Sequence, residues 1–364
     1  RRVSVLAMVL CGAVAVTAHA AQSPLTLEAA VRQGLARAPL LDARSADIRA
    51  AREEAVRAGR LPDPSLTAGL SNYPVTGAEA FNLRADGMTM RTIGIGQTIP
   101  SRAARAADRT LAAAQIDAAE SEHVAAAQTV RERIADAWIE VWATQQKRAL
   151  LDELRSESAL AVQITQARLR GGEGGATDAL AARTEAATLD NRLEAVDADF
   201  IAAQAGLQRW LGPSVPVLAE APDFGHLPVT ADRLELHIDQ QAPMQAWQAR
   251  EQVAQAALAQ ARAARHPDWN VSVDYGRRAP GLPDMVTLQV GVSLPLFTRN
   301  RQDRGISAKQ AQWDAVQADH EDARRAQREA VARAITSWQG WGRQIQRYQD
   351  TLLPLARDRA RTAL

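Results

Sequence analysis

Cysteine is almost absent. Of 364 residues only Cys11 is one, so the chain has no disulfide framework and no thiolate metal site. Aromatic residues make up only 4%, and neither sign of charge dominates, with Lys+Arg 43 against Asp+Glu 42. The arginines alternate with acids along the sequence and form no phosphate-tracking patch, which argues against nucleic acid as a partner. Past the first two dozen residues no apolar run approaches the ~20 residues that a spanning helix needs, so a multi-pass helical membrane protein is excluded. The histidines His123, His226, His237, His266 and His320 lack metal-ligand spacing, and no GxSxG, HExxH or Walker pattern occurs. Neither an enzyme nor a cofactor or metal site is expected.

The one apolar run is N-terminal. Arg1 and Arg2 precede the run 3–16, and Ala18-His19-Ala20 offers small residues for cleavage, so residues 1–20 read as a signal peptide and the chain as exported. Cys11 lies inside that run behind Leu10, where a lipidation signal would need a small residue, and is expected to leave with the peptide.

Glycine and proline are both missing over the 70 residues 101–170, a stretch of Ala, Arg, Glu, Gln and Leu that favours helix. A single helix of that length would extend about 105 Å. It cannot be buried in a compact core and must lie along partner helices. The run stops at Gly171-Gly172-Glu173-Gly174-Gly175, and a return helix is expected over 177–211. Pro213, Pro216, Pro222 and Pro228 then mark a linker at 213–230 between a first repeat, 21–212, and a second, 231–364.

The halves echo each other. Residues 60–67 (RLPDPSLT) recur as 265–272 (RHPDWNVS) at an offset of 205, and 90–100 (MRTIGIGQTIP) as 285–295 (MVTLQVGVSLP) at an offset of 195. Each half reads helix, strand, loop, strand, very long helix. The offset of 195 places the partner of Gly171 near position 366, so the second repeat is expected to be truncated before its tip and return helix.

Four segments, 65–73, 88–99, 270–276 and 285–294, alternate apolar with small polar residues. Ile93 and Ile95, Val271 and Val273, and Val286, Leu288, Val290 and Val292 fall on the apolar alternates. Segments of about ten residues suit tilted strands crossing an outer membrane with these side chains toward lipid. Hairpins packed on helices in a soluble protein would show the same alternation.

With this duplication and a Pro-ended strand before each long helix, the chain resembles the TolC-like outer-membrane efflux factors. The segments 61–66, 88–94 and 97–100 look most like the heavy-metal (cation) branch of that family. The resemblance implies a mainly α fold with two β-hairpins. Each protomer of a homotrimer would give four strands to a shared twelve-stranded barrel, with the long helices forming a periplasmic α-helical barrel. It further implies a passive exit duct partnered by a periplasmic adaptor protein, an inner-membrane RND-type pump and outer-membrane lipid. Gly172, Gly174, Thr177, Asp178 and Leu180 match the family's periplasmic tip, where glycine permits the turn and Asp178 would constrict the entrance. Asp178 is equally suited to plain helix N-terminal stabilisation beside Thr177. Arg91 shares the face of Ile93 and Ile95 toward the expected outer end, within reach of head-group phosphates. The alternatives are a periplasmic adaptor or coiled-coil scaffold, or an outer-membrane duct for drugs or secreted proteins.

Overall fold

The computed structural model describes residues 24–84, 86–214, 216–227 and 229–363. The expected signal peptide, with Cys11, lies outside the described residues. Helix α1 (Leu27–Arg37) starts behind Thr26, whose hydroxyl accepts the Ala29 N–H at 3.1 Å, satisfying one of the free donors of the first turn. Pro39 ends it, because the residue before a proline is pushed out of the helical region, and the same proline opens α2 (Pro39–Arg57).

Strands β1 (Ser65–Ser71) and β2 (Met90–Ile99) follow, then α3 (Arg102–Arg170) and α4 (Ala176–Leu211). The second half repeats the order through the short α5 (Ala231–Leu236), α6 (Ala242–Ala263), β3 (Trp269–Arg277), β4 (Met285–Val292), α7 (Gln302–Arg347) and α8 (Leu353–Ala363). The helix expected over 101–170 is therefore present without a break. Its counterpart is interrupted by a π turn at Tyr348–Leu352, where the Leu353 N–H bonds five residues back to the Tyr348 carbonyl. Pro354 explains the turn. Its ring crowds the carbonyl four residues earlier and it has no N–H to donate, so the helix widens just before it.

The chain forms two compact units. The first combines 24–38 with 130–224. Its core joins Val130, Ile134, Trp138 and Val141 on one face of α3 with Leu189, Leu193, Val196, Leu207 and Leu211 of α4, all buried. Spacings of three and four residues put each set on one side of its helix. Trp138 is fully enclosed, and its indole N–H donates to the Leu25 carbonyl at 3.1 Å, which removes the penalty of burying that donor. Gly34 lets α1 approach closely, since a Cβ there would lie 2.5 Å from Ile134 Cδ1. Arg148–Asp197 at 2.7 Å and Arg155–Asp190 at 2.9 Å link α3 to α4, but exposed pairs of this kind contribute little each.

The second unit combines 39–129 with 225–363 and holds the sheet. Asp268 ties the strands to the helices. Its carboxylate accepts the Ser101 N–H at 2.8 Å just before α3, and its backbone N–H donates to Ser293 Oγ at 2.9 Å just after β4. Asp108 and Asp303, an equivalent pair in the repeat, both bond the end of the α6 region. Gln260 donates to Asp108 at 2.9 Å, and Arg265 donates to Asp303. The Arg265 guanidinium, helped by the Thr298 hydroxyl, holds the Asp303 carboxyl below its ordinary range against a smaller opposing effect of burial.

Gly59 closes α2 with φ +66, and a Cβ there would run into the Arg105 backbone carbonyl of α3. The glycine meets both a left-handed turn and a close helix approach. We expect Gly59→Ala to destabilise the unit by about 1 to 3 kcal/mol, lowering the Tm followed by circular dichroism. An unchanged Tm would show that the α2–α3 approach tolerates the methyl group.

Candidate functional site: a two-faced sheet and a glycine turn

The four strands form one antiparallel sheet in the order β1-β2-β3-β4. Both hairpins thus join through the β2–β3 pair, in which Ile93 faces Tyr275, Ile95 faces Val273 and Gln97 faces Val271. The flanking pairs align Leu66 with Ile95 and Ala68 with Ile93 on one side, and Val273 with Leu288 and Val271 with Val290 on the other. Because side chains alternate across a strand, this register gathers every apolar alternate on one face. Little covers that face, with Leu66 75% exposed, Val286 69%, Leu288 67% and Val290 61%. Ile93, Ile95, Val273 and Val292 are also exposed, and Val271 is half-buried. The sequence-predicted strand residues are therefore brought together as one contiguous apolar surface. Isolated apolar side chains on a surface are ordinary, whereas a continuous patch of this kind marks a contact with something apolar.

The opposite face carries Ser65, Thr67, Thr92, Asn270, Ser272, Thr287 and Gln289 among glycines. Asp274 is the one ionisable side chain on this face among the described strand residues. It faces Gly94 in the neighbouring strand and bends over it, since a Cβ on Gly94 would overlap the carboxylate. Ser272 Oγ lies 3.4 Å from Asp274 Oδ2 and Thr67 Oγ1 lies 3.5 Å from Oδ1, so two hydroxyls are within reach of the acid. A groove of about 690 Å³ runs beside it, lined by Ser65, Thr67, Gly96, Asn270, Asp274 and Gln289. In the sequence alone Asp274 is one more polar alternate of the segment 270–276. Its solitary charge was legible there, but its place over Gly94 needed the register.

The turn between α3 and α4 lies in the first unit. The Gly172 N–H bonds to the Leu169 carbonyl at 3.1 Å and the Glu173 N–H to the Arg168 carbonyl at 2.9 Å, with Gly172 at φ +78. This is a Schellman closure, which needs a left-handed residue at Gly172. Gly174 then crosses the end of α3, where a Cβ would sit 3.1 Å from Arg168 Cβ. The helix-stabilising reading of Asp178 placed it beside Thr177 at the start of the return helix. The structure refines this, because Gly175 is the N-cap, makes no side-chain cap bond, and α4 begins at Ala176. Thr177 is exposed, and Asp178 stands in the first turn with Oδ2 3.3 Å from where a Gly175 Cβ would be. Asp178 is exposed and makes no ion pair among the described residues, while Leu180 is 60% exposed beside the buried Ala179. The turn therefore presents an acid and a leucine to the surroundings. An acid in a first turn also interacts favourably with the helix dipole.

No group of His, Cys, Asp and Glu suited to a metal ion occurs among the described residues. No described helix is long and apolar enough to cross a membrane.

No protein of curated function matches the sequence. Solved structures do. A membrane protein from Pseudomonas aeruginosa is 18% identical, with 93% of this chain and 84% of that one covered and a TM-score of 0.74. VceC, the outer membrane protein of Vibrio cholerae, is 20% identical over 93% of this chain and 86% of that one, at 0.70. CusC, studied for its transmembrane channel formation, is 17% identical over 93% and 82%, at 0.69. At such identities the likeness shows the fold, which is the TolC-like one that the resemblance implied. The family model for outer membrane efflux proteins matches residues 30–213 and 235–362. With most of its length covered, the chain belongs to the outer membrane efflux protein family and is an outer-membrane channel protein, not an enzyme.

Proposed function

We propose that three copies of this chain close a barrel in the outer membrane and act as the passive exit duct of a tripartite efflux system. The observation that carries this reading is the uncovered apolar face of a sheet whose two outer strands, β1 and β4, have no partner on their far sides among the described residues. Hydrocarbon suits the face but not the edges, because an unpaired backbone group in lipid costs several kcal/mol. Four strands do not close on themselves, the smallest barrels having about eight. Edges must then pair between copies.

The internal repeat supplies the register. Shifting Gln97 by 195 gives Val292, and shifting Val271 back by 205 gives Leu66, so the Gln97–Val271 pair of β2–β3 translates into Val292 of one copy against Leu66 of the next. In this assembly Ile93, Ile95, Val271, Val273, Val286, Leu288, Val290 and Val292 face lipid, and the Asp274 face lines the lumen.

The turn with Gly172, Gly174, Thr177, Asp178 and Leu180 is the periplasmic tip. There the duct meets a periplasmic adaptor and an inner-membrane RND-type pump, with Asp178 narrowing the entrance. Heavy-metal cations are the cargo that fits best. The likeness of segments 61–66, 88–94 and 97–100 to that branch supports this, as does a luminal strand face whose one charge is negative. Rings of acidic side chains favour cations in channels.

Arginine at Val290 should cost roughly 2 to 4 kcal/mol in a lipid-facing position and deplete heat-resistant trimers from the outer-membrane fraction, whereas Gln289→Arg should leave them in place. Equal yields for both variants would contradict the assignment of faces.

Single-channel recordings in planar bilayers separate the two acids. Asp178→Asn should raise conductance, and Asp274→Asn should lower the preference for K⁺ over Cl⁻ read from the reversal potential. An unchanged conductance with lower thermal stability would make Asp178 a helix-stabilising residue only, and an unchanged reversal potential would remove the luminal support for a cation cargo.

A further inference from the structure

We propose that Arg91 and Arg277 form a binding site for the sugar-linked phosphates of the glycolipid that fills the outer leaflet of the outer membrane. The proposal rests on the membrane reading given above. In the β2–β3 register Arg91 stands directly opposite Arg277, on the same face as the Ile93–Tyr275 and Ile95–Val273 pairs. Like charges paired across neighbouring strands repel each other. Two arginines so placed at the end of a largely apolar face favour an anion that offsets the repulsion.

Among the described residues no carboxylate pairs directly with either arginine. Both arginines are exposed, and neither guanidinium makes an ion pair or hydrogen bond among the described residues. Asp284 lies within electrostatic reach of Arg277. Its oxygens, however, accept the Tyr275 hydroxyl and the Arg278 backbone N–H. Arg278 itself turns away and donates from Nε to the Gly87 carbonyl at 2.8 Å. Arg91 and Arg277 are thus left as two adjacent forks of N–H donors, the geometry that suits phosphate oxygens.

Position along the strand selects the source of the phosphate. On the apolar face the row below the arginines is Ala68, Ile93, Tyr275 and Val286, and Leu70 flanks Arg91 in β1. The pair therefore caps one end of the apolar band. That end is the one away from the strand exits into α3 and α7. With the helices on the periplasmic side, the arginines meet the outer leaflet where acyl chains give way to phosphorylated sugars. A phosphate there satisfies the guanidiniums while the attached acyl chains cover Ile93 and Tyr275, so one ligand fits both halves of the surface.

The test uses full-length chains purified as trimers from outer membranes and titrated in detergent with diphosphorylated lipid A, its dephosphorylated form and inorganic phosphate, read by native mass spectrometry. Wild type should retain diphosphorylated lipid A. Arg91→Gln or Arg277→Gln should weaken that binding at least about tenfold, as the loss of one charged hydrogen bond implies. The dephosphorylated lipid should bind no better to wild type than to the variants. Heat-resistant trimers of the variants show that folding is intact. Variants that bind diphosphorylated lipid A as wild type does would overturn the site and leave the channel standing, and equal affinity for inorganic phosphate would overturn the lipid as its ligand. Absence of wild-type trimers from the outer membrane would overturn the channel reading and this site with it.

Discussion

An antiparallel sheet with one apolar face and two open edges places contradictory demands on its surroundings. The apolar alternates of β1 to β4 favour hydrocarbon, whereas the outer backbone groups of β1 and β4 cannot be left there without partners. The proposed closure between copies would resolve both at once. Burial of the apolar face in the chain's own helices would also cover it, but Leu66, Val286 and Leu288 are largely uncovered. Within the second unit Asp268 fixes the strand start against Ser101 and Ser293.

The helices obey a related constraint. A helix such as α3, with 69 residues, gains stability from packing along its length and not from a single core. Within the first unit that packing is supplied by α4 and α1 around Trp138. Further along α3, Leu150, Leu154, Leu160 and Ile164 are exposed. An apolar series of this kind fits a helix that meets other copies in a shared tunnel wall. The same logic therefore applies to sheet and helix: in the proposed assembly each chain is one part of the wall.

Much of this was legible in the sequence because two periodicities leave strong marks. Alternation along 285–294 gave β4 with its apolar alternates on one face, and the absence of glycine and proline over 101–170 gave α3. The glycine run after Arg170 marked the turn, although not that Gly172 carries the left-handed conformation or that Gly175, not Thr177, caps α4. Those details depend on hydrogen-bond geometry among four glycines that composition does not distinguish. The π turn before Pro354 leaves no mark in the sequence periodicity, since a proline within a helical run signals a disturbance but not its form. Long-range pairing was the least legible. Period two puts Arg91 on the apolar face, but only the β2–β3 register brings it opposite Arg277 and sets Asp274 over Gly94.

Closure of the sheet between copies is tested most directly by disulfide trapping. Only Cys11 competes as a native thiol in the sequence, and facing residues on paired strands have Cα separations of about 4.5 to 5.5 Å, within disulfide range. In outer membranes carrying the Leu66→Cys, Val292→Cys double variant, mild oxidation should give a covalent trimer on a non-reducing gel that reverts to monomers on reduction. Leu66→Cys combined with Leu288→Cys should stay monomeric under the same oxidation. Cross-linking through position 288 instead of 292, or no cross-linked trimer at all, would contradict a barrel closed by β4 of one copy on β1 of the next.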